Sequence, residues 1–383
     1  MMAERHLHII THDVPWPADF GGVIDIFYKI KTLHQNGVKI YLHCFVNKRL
    51  PQIELEKYCE AVYYYDRQKK MSQFSFHLPF IISTRKSDKL LLNLQKDNYP
   101  ILVEGIHCSY HFYAGHLADR LTALRLFNVE FEYYHHLALH EKNLFKKLYY
   151  LHESWLLKKY ESKIAKKLPI IALSEEDVLM YRHLFNAIDI KQLPVFLPFL
   201  TPTGKQGNGC YCLYHANLAI NENEEAAIWL LHHVFNDLEL PFVIAGKNPS
   251  QKLEFLVQSI PHACVVANPS DKELHDMIAK AQINILPSFN NTGVKLKLLN
   301  ALYNGRHCLV NKAGVAGSGL DKACTIAEDA DDFKTAIKYL YEMPYSIEEN
   351  EKRKQLLALY DNQKNADKLI DFFWGKEEES YEL

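Results

Sequence analysis

Short runs rich in Val, Ile, Leu and Phe alternate along the chain with longer segments of helical period, the pattern of buried parallel strands separated by helices. In the first half the pattern predicts strands at His6 to Thr11, Val38 to Phe45, Ala61 to Tyr65, Ile101 to Val103, Leu124 to Asn128 and Ile170 to Leu173. In the second half it predicts Cys210 to His215, Phe242 to Ala245, Cys264 to Val266, Ile283 to Leu286, Cys308 to Val310 and Thr325 to Ile326. Between the two sets, Leu193 to Gly209 is broken by prolines and glycines and reads as a linker. The fold class is therefore α/β, with two doubly wound, Rossmann-like parallel-sheet domains, 1–200 and 201–359. Folds of this kind bind ligands at the carboxyl ends of their strands, so an interdomain cleft is the expected site.

Composition narrows the function. The 383 residues carry 44 Lys and Arg against 46 Asp and Glu, which leaves no excess of positive charge for a nucleic-acid backbone, and no nucleic-acid partner is expected. The charge is unevenly spread: 26 basic and 21 acidic residues stand up to position 199, 18 and 25 after it. Eight scattered cysteines form no CxxC pair and no regular framework, which fits a reducing compartment. The apolar run after Glu4 and Arg5 is too short for a signal peptide or a span, so a cytoplasmic protein is expected.

Three segments carry candidate chemistry. After the first strand a proline-rich loop leads to Gly21 and Gly22 at a helix start, where bare backbone amides suit an anion. In INILPSFNNTGVKLKLLNALYNG, Ile283 to Gly305, a strand ends in a polar loop and Thr292-Gly293 is expected to open a helix. Lys295 would then lie in the first helical turn, where a cation calls for a compensating anion such as phosphate, and Lys297 would face elsewhere. Asn300 would share the face of Thr292 and suit a sugar hydroxyl. In PFVIAGKNPSQKL, Pro241 to Leu253, Lys247 and Lys252 follow a strand end and could meet a diphosphate. Asn268, after the Cys264 to Val266 strand, completes the donor-side set.

The order and spacing of these segments, with FNVE at Phe127 to Glu130, ALSEED at Ala172 to Asp177 and IAGK at Ile244 to Lys247, resemble the retaining nucleotide-sugar glycosyltransferases of family four, which have the GT-B fold. The resemblance implies transfer of a sugar from a nucleotide diphosphate donor, a UDP or GDP sugar, to a glycan or lipid-linked acceptor with retention. It further implies no cofactor and no metal, with bacterial polysaccharide or glycoconjugate assembly as the setting. Gly22, Lys247 and Lys295 would approach the donor diphosphate, and the terminal helix, 360–383, would pack back on the first domain. Thr292 and Asn300 stand where many members carry two glutamates, and HANLAINEN, His215 to Asn223, lacks an expected Arg and Lys. Lys247, Lys252 and Lys295 would have to supply that charge.

For catalysis, His107 resembles the family histidine that contacts the donor sugar, and Glu104 and Glu130, at strand ends, are candidates to hold an acceptor hydroxyl. His136 and His140 share a helix face, but no HExxH pattern completes a zinc site, so they are read as helix surface. A lysine-rich stretch, Lys142 to Lys167, interleaved with Leu144, Phe145, Tyr149, Trp155 and Leu156, is compatible with peripheral contact to the inner face of an anionic membrane. The competing readings are a nucleotide-sugar epimerase of the same fold and a non-catalytic sugar-nucleotide-binding relative.

Overall fold

The computed structural model describes residues 4–68, 74–187 and 189–375, with the backbone alone described at position 140. The chain divides into two compact units. One comprises the chain up to Pro198 and resumes at Tyr360; the other is Phe199–Leu359.

The first unit is built on seven parallel strands: β1 His6–Thr11, β2 Lys39–Val46, β3 Ala61–Asp66, β4 Ile101–Glu104, β5 Thr122–Arg125, β6 Ile170–Ala172 and β7 Ile190–Gln192. Their order in the sheet is β3-β2-β1-β4-β5-β6-β7. Its helices are α1 Gly21–Gln35, α2 Phe80–Ser83, α3 Asp88–Leu94, α4 Tyr110–Tyr113, α5 Glu130–His140, α6 Leu144–Ile164 and α7 Glu175–Phe185. The expected strand at Leu124 to Asn128 lies earlier in the chain, because Leu124 and Arg125 pair with β6 and the chain turns off the sheet before α5. The edge strand β7 is three residues of mixed polarity, with Lys191 exposed, too short for alternation to reveal.

The second unit repeats the plan with six parallel strands: β8 Cys212–Asn217, β9 Phe242–Lys247, β10 Ala263–Ala267, β11 Ile283–Ile285, β12 His307–Val310 and β13 Thr325–Ile326, ordered β10-β9-β8-β11-β12-β13. Its helices are α8 Asn221–Trp229, α9 Gln251–Gln258, α10 Asp271–Lys280, α11 Leu296–Asn304, α12 Lys312–Val315, α13 Ala330–Glu342 and α14 Ile347–Leu357. The chain then returns to the first unit with α15 Asn362–Trp374, whose Ala366, Leu369, Ile370 and Phe373 join the same core as Ile26, Ile30 and Leu33 of α1. The rest of the expected terminal helix, 376–383, lies outside the described residues.

Both sheets are nearly continuous apolar strands, as sheets covered on both faces require. The first interior also holds a charged cluster. Lys29 Nζ lies 2.6 Å from Glu104 Oε1 and 3.1 Å from Asp25 Oδ2, and Arg125 grips Asp25 through Nε and Nη2 at 3.1 Å each. All four side chains are at most 2% exposed. Arg125 also donates to the carbonyls of Leu193 and Pro194, and Asp25 accepts from the Phe196 amide at 2.7 Å. The cluster thereby ties α1, β4 and β5 to the segment by which the chain leaves the unit.

Candidate functional sites at the two switch points

Strand order reverses direction between β1 and β4 in the first sheet and between β8 and β11 in the second. At such points the loops leaving neighbouring strands diverge to opposite faces and open a crevice beyond the carboxyl edge.

In the first unit the loop after β1 carries His12, and the turn after β4 carries His107. The two imidazoles stack with centroids 5.2 Å apart, and Phe127 meets His12 edge-on at 5.2 Å. Burial, reinforced by the charge of Arg85, pushes His12 down to about 3 and His107 well below its ordinary value, so both rings are neutral at physiological pH. Gly21 and Gly22 open α1 beside them; a Cβ at Gly22 would stand 3.6 Å from His12 Cε1. Arg85 is 5% exposed, donating to the carbonyls of Ile81 at 2.7 Å and His12 at 3.4 Å, and Arg67 donates to Thr84 Oγ1 at 3.1 Å. His12, Arg67 and Arg85 were not found from the sequence. Each is brought to this edge from a separate loop, and only the position of His12 directly after a strand signalled it.

Glu130 begins α5 and is buried, which pushes it up to about 7 against a hydrogen bond from Asn128. Its backbone amide and that of Phe131 are capped by Glu161 at 2.9 and 3.0 Å, so the Glu130 carboxyl is not consumed in capping its own helix. Glu104 is different. Expected to hold an acceptor hydroxyl, it is instead fully buried and committed to Lys29 in the interior cluster, because its side chain points from the strand into the layer beneath α1.

The geometry of His107 depends on Gly105, which has φ +84°; an added Cβ would stand 2.9 Å from His107 Nδ1 and 3.0 Å from Phe127. Gly105→Ala is therefore expected to lose about 1–3 kcal/mol of stability and to displace His107. Urea denaturation of parent and variant measures it, and an unchanged midpoint would refute it.

In the second unit the expected helix start at Thr292-Gly293 is corrected. Gly293 has φ +68°, which a right-handed helix does not accommodate, and Asn290 Oδ1 binds both the Thr292 amide and hydroxyl at 2.8 Å in a local turn. Helix α11 begins at Leu296, with Lys295 as its N-cap in extended conformation. Helical spacing consequently governs neither the Thr292 and Asn300 pair nor the two lysines. Lys295 Nζ turns back to the carbonyls of Thr292 and Gly293 at 2.7 and 2.8 Å. Lys297, expected to face elsewhere, reaches Asn223 Oδ1 at 3.1 Å and the Tyr214 hydroxyl at 3.4 Å, close enough to Lys295 for the two charges to repel.

Lys297 is the residue the sequence undervalued. Burial, with Lys295 adding to it and Glu222 opposing, pushes its ammonium down to about 8. Among the described residues it makes no ion pair, while Glu222 is engaged by Asn290 at 3.2 Å. His215, within β8, is held neutral with a value of about 3 by burial and by Lys297. The edge thus brings two cations together, with Glu222 as the carboxylate near them.

The other expected donor contacts are less uniform. Lys247 ends β9, exposed, and its carbonyl accepts from the Leu218 and Ala219 amides. Asn268 lies beside it but spends its side-chain oxygen on the Asn248 amide at 2.8 Å. Lys252 is exposed on α9, and Asn300 accepts from Asn304 at 2.8 Å. His135 and His136 lie on α5, while the side chain of His140 falls outside the described residues.

No protein-family profile matches the chain. It is 28% identical over 335 residues, 81% of this chain and 84% of the other, to an "uncharacterized 44.6 kDa protein in cps region" of Klebsiella pneumoniae. Among solved structures it resembles sucrose-phosphate synthase from Thermosynechococcus elongatus (TM-score 0.66, 13% identity, 95% of this chain and 97% of that one). It also resembles WaaG, a glycosyltransferase involved in lipopolysaccharide biosynthesis (TM-score 0.63, 11% identity, 97% and 100%). A third likeness is to the trehalose-6-phosphate protein of E. coli bound with UDP-2-fluoro glucose (TM-score 0.62, 10% identity, 96% and 99%). These likenesses establish the fold as that of the GT-B glycosyltransferases.

Proposed function

We propose that the protein is a glycosyltransferase that takes a sugar from a UDP or GDP sugar and transfers it, with retention, to a glycan or lipid-linked acceptor in bacterial surface polysaccharide assembly. The observation that carries the reading is Lys297, a largely desolvated cation that makes no ion pair among the described residues, beside a second lysine at the switch point of the second sheet. A half-buried charge of this kind is stabilised by an anion, and a diphosphate is the anion that a switch-point crevice of this fold suits. In the transfer, the bond from the anomeric carbon to the diphosphate oxygen breaks with its electron pair leaving on phosphate. The acceptor oxygen bonds to that carbon, and its proton passes to the departing phosphate. Lys295 and Lys297 supply positive charge where the negative charge develops, the role a metal ion plays elsewhere. The relative from a cps region and the fold support the setting.

In the first unit the neutral pair His12 and His107 can donate and accept hydrogen bonds to sugar hydroxyls without titrating near neutrality. Glu130, poised near 7, suits an acceptor hydroxyl.

Thermal unfolding with a panel of nucleotide sugars, followed by assay of released nucleotide, tests the proposal. Stabilisation by one UDP or GDP sugar together with slow release of its nucleotide, unchanged by EDTA, is expected. Absence of any shift, or interconversion of sugar isomers without release, would overturn it.

A further inference from the structure

Helix α6 is apolar on two faces. Its buried side chains are Leu156, Leu157, Tyr160 and Ile164 together with Glu153, Ser154 and Glu161, while Leu144, Phe145, Leu148 and Trp155 are 66%, 84%, 56% and 52% exposed. At about 100° per residue, Leu144, Leu148, Leu151 and Trp155 fall in a stripe roughly 60° wide, on the side opposite the buried face. Lys147 and Lys158 flank one side of the stripe, Lys159 and Lys163 the other. The two carboxylates of the helix are both fully buried, so every exposed ionised side chain along it is a lysine. Phe76, 70% exposed, continues the apolar surface next to the helix. With Trp155, Lys159 and Lys163 it lines a pocket of about 440 Å³, in which Lys159 Nζ sits 3.4 Å from the Trp155 ring centroid.

We infer that this face of α6 docks the first unit onto an anionic phospholipid bilayer, with the apolar stripe in the acyl boundary and the lysines at the phosphate level. The charge pattern selects that occupant. A second copy of the chain would set lysine against lysine across a symmetric contact, and a nucleic acid would leave Leu144, Phe145 and Leu148 without apolar partners. Lysines flanking a stripe of Leu, Phe and Trp match what an interface between headgroups and hydrocarbon provides. No described helix is long and apolar enough to cross a membrane, so the contact is peripheral. The inference rests on this surface alone and stands apart from the nucleotide chemistry.

Co-sedimentation of the full chain with phosphatidylcholine vesicles, with and without phosphatidylglycerol, provides the test. Binding that requires phosphatidylglycerol and is lost in high salt is expected. The triple substitution Leu144→Asp, Phe145→Asp, Leu148→Asp should weaken it at least roughly ten-fold, and Lys158→Glu with Lys159→Glu by roughly 25-fold or more, since each interfacial lysine is worth roughly five-fold. These side chains are exposed, so thermal stability and its shift with nucleotide should be retained in both variants. Equal sedimentation of parent and variants, no sedimentation at all, or a dimer abolished by the same substitutions would each overturn the inference.

Discussion

Replacing Asp25 with alanine is expected to cost the first unit about 3–5 kcal/mol, the range seen when one partner of a buried charge cluster is removed. Asp25 is the hub of that cluster: its two oxygens receive Arg125, Lys29 and the Phe196 amide, and it is 1% exposed. Alanine would leave Arg125 and Lys29 sharing one carboxylate, Glu104, with Arg125 Nε still 3.9 Å from it. The desolvation of both cations would be unrelieved, and the anchor of the departing segment at Phe196 would be lost. Urea denaturation followed by tryptophan fluorescence in a Trp229→Phe background would report on the first unit, since Trp16, Trp155 and Trp374 all belong to it. A loss under about 1 kcal/mol, the value of an exposed ion pair, would show that the cluster relaxes or admits water.

Lys297→Met is expected to weaken nucleotide-sugar binding by roughly two orders of magnitude and to lower the rate of nucleotide release further, because the charge is worth most where the leaving phosphate gathers its own. Methionine keeps the stem that packs over Tyr214, whose ring centroid lies 5.1 Å from the lysine Nζ, so stability should change little. The pH dependence separates charge from packing. With an ammonium value of about 8 in the free protein, Lys297 is charged below that pH and loses its proton above it. Affinity should therefore be full at neutral pH and fall as pH rises through 8. Lys297→Arg, which stays charged, should flatten that fall. Isothermal titration between pH 7 and 9 measures both, and an affinity in Lys297→Met equal to the parent's would remove this residue from the site.

Much of the architecture was legible in the chain because buried parallel strands announce themselves as short apolar runs. Eleven of the twelve expected strands overlie observed ones closely, as with His6–Thr11 and Thr325–Ile326, which coincide end to end. The misplaced strand near Leu124 and the missed β7 show where that signal fails: an apolar run that crosses a turn, and an edge strand too short to display a period. The candidate sites were partly legible. Glycines and lysines after strands pointed to the carboxyl edges of both sheets, where the structure places Gly21, Gly22, Lys247 and Lys295, since a doubly wound sheet carries its loops there.

What the sequence by itself determined was the class of fold and the division into two sheets, both of which depend on local pattern. Which charges are spent inside and which are free to act was decided only by tertiary structure. Glu104 and Glu130 look alike as strand-end carboxylates, yet the first faces Lys29 beneath α1 and the second stays apart from any lysine or arginine ion pair among the described residues. Lys295 and Lys297 looked divergent by helical spacing, yet a left-handed glycine delays the helix and lets both charges share one edge. Burial and long-range pairing set the free energy of a charge, and neither is written in the neighbours along the chain.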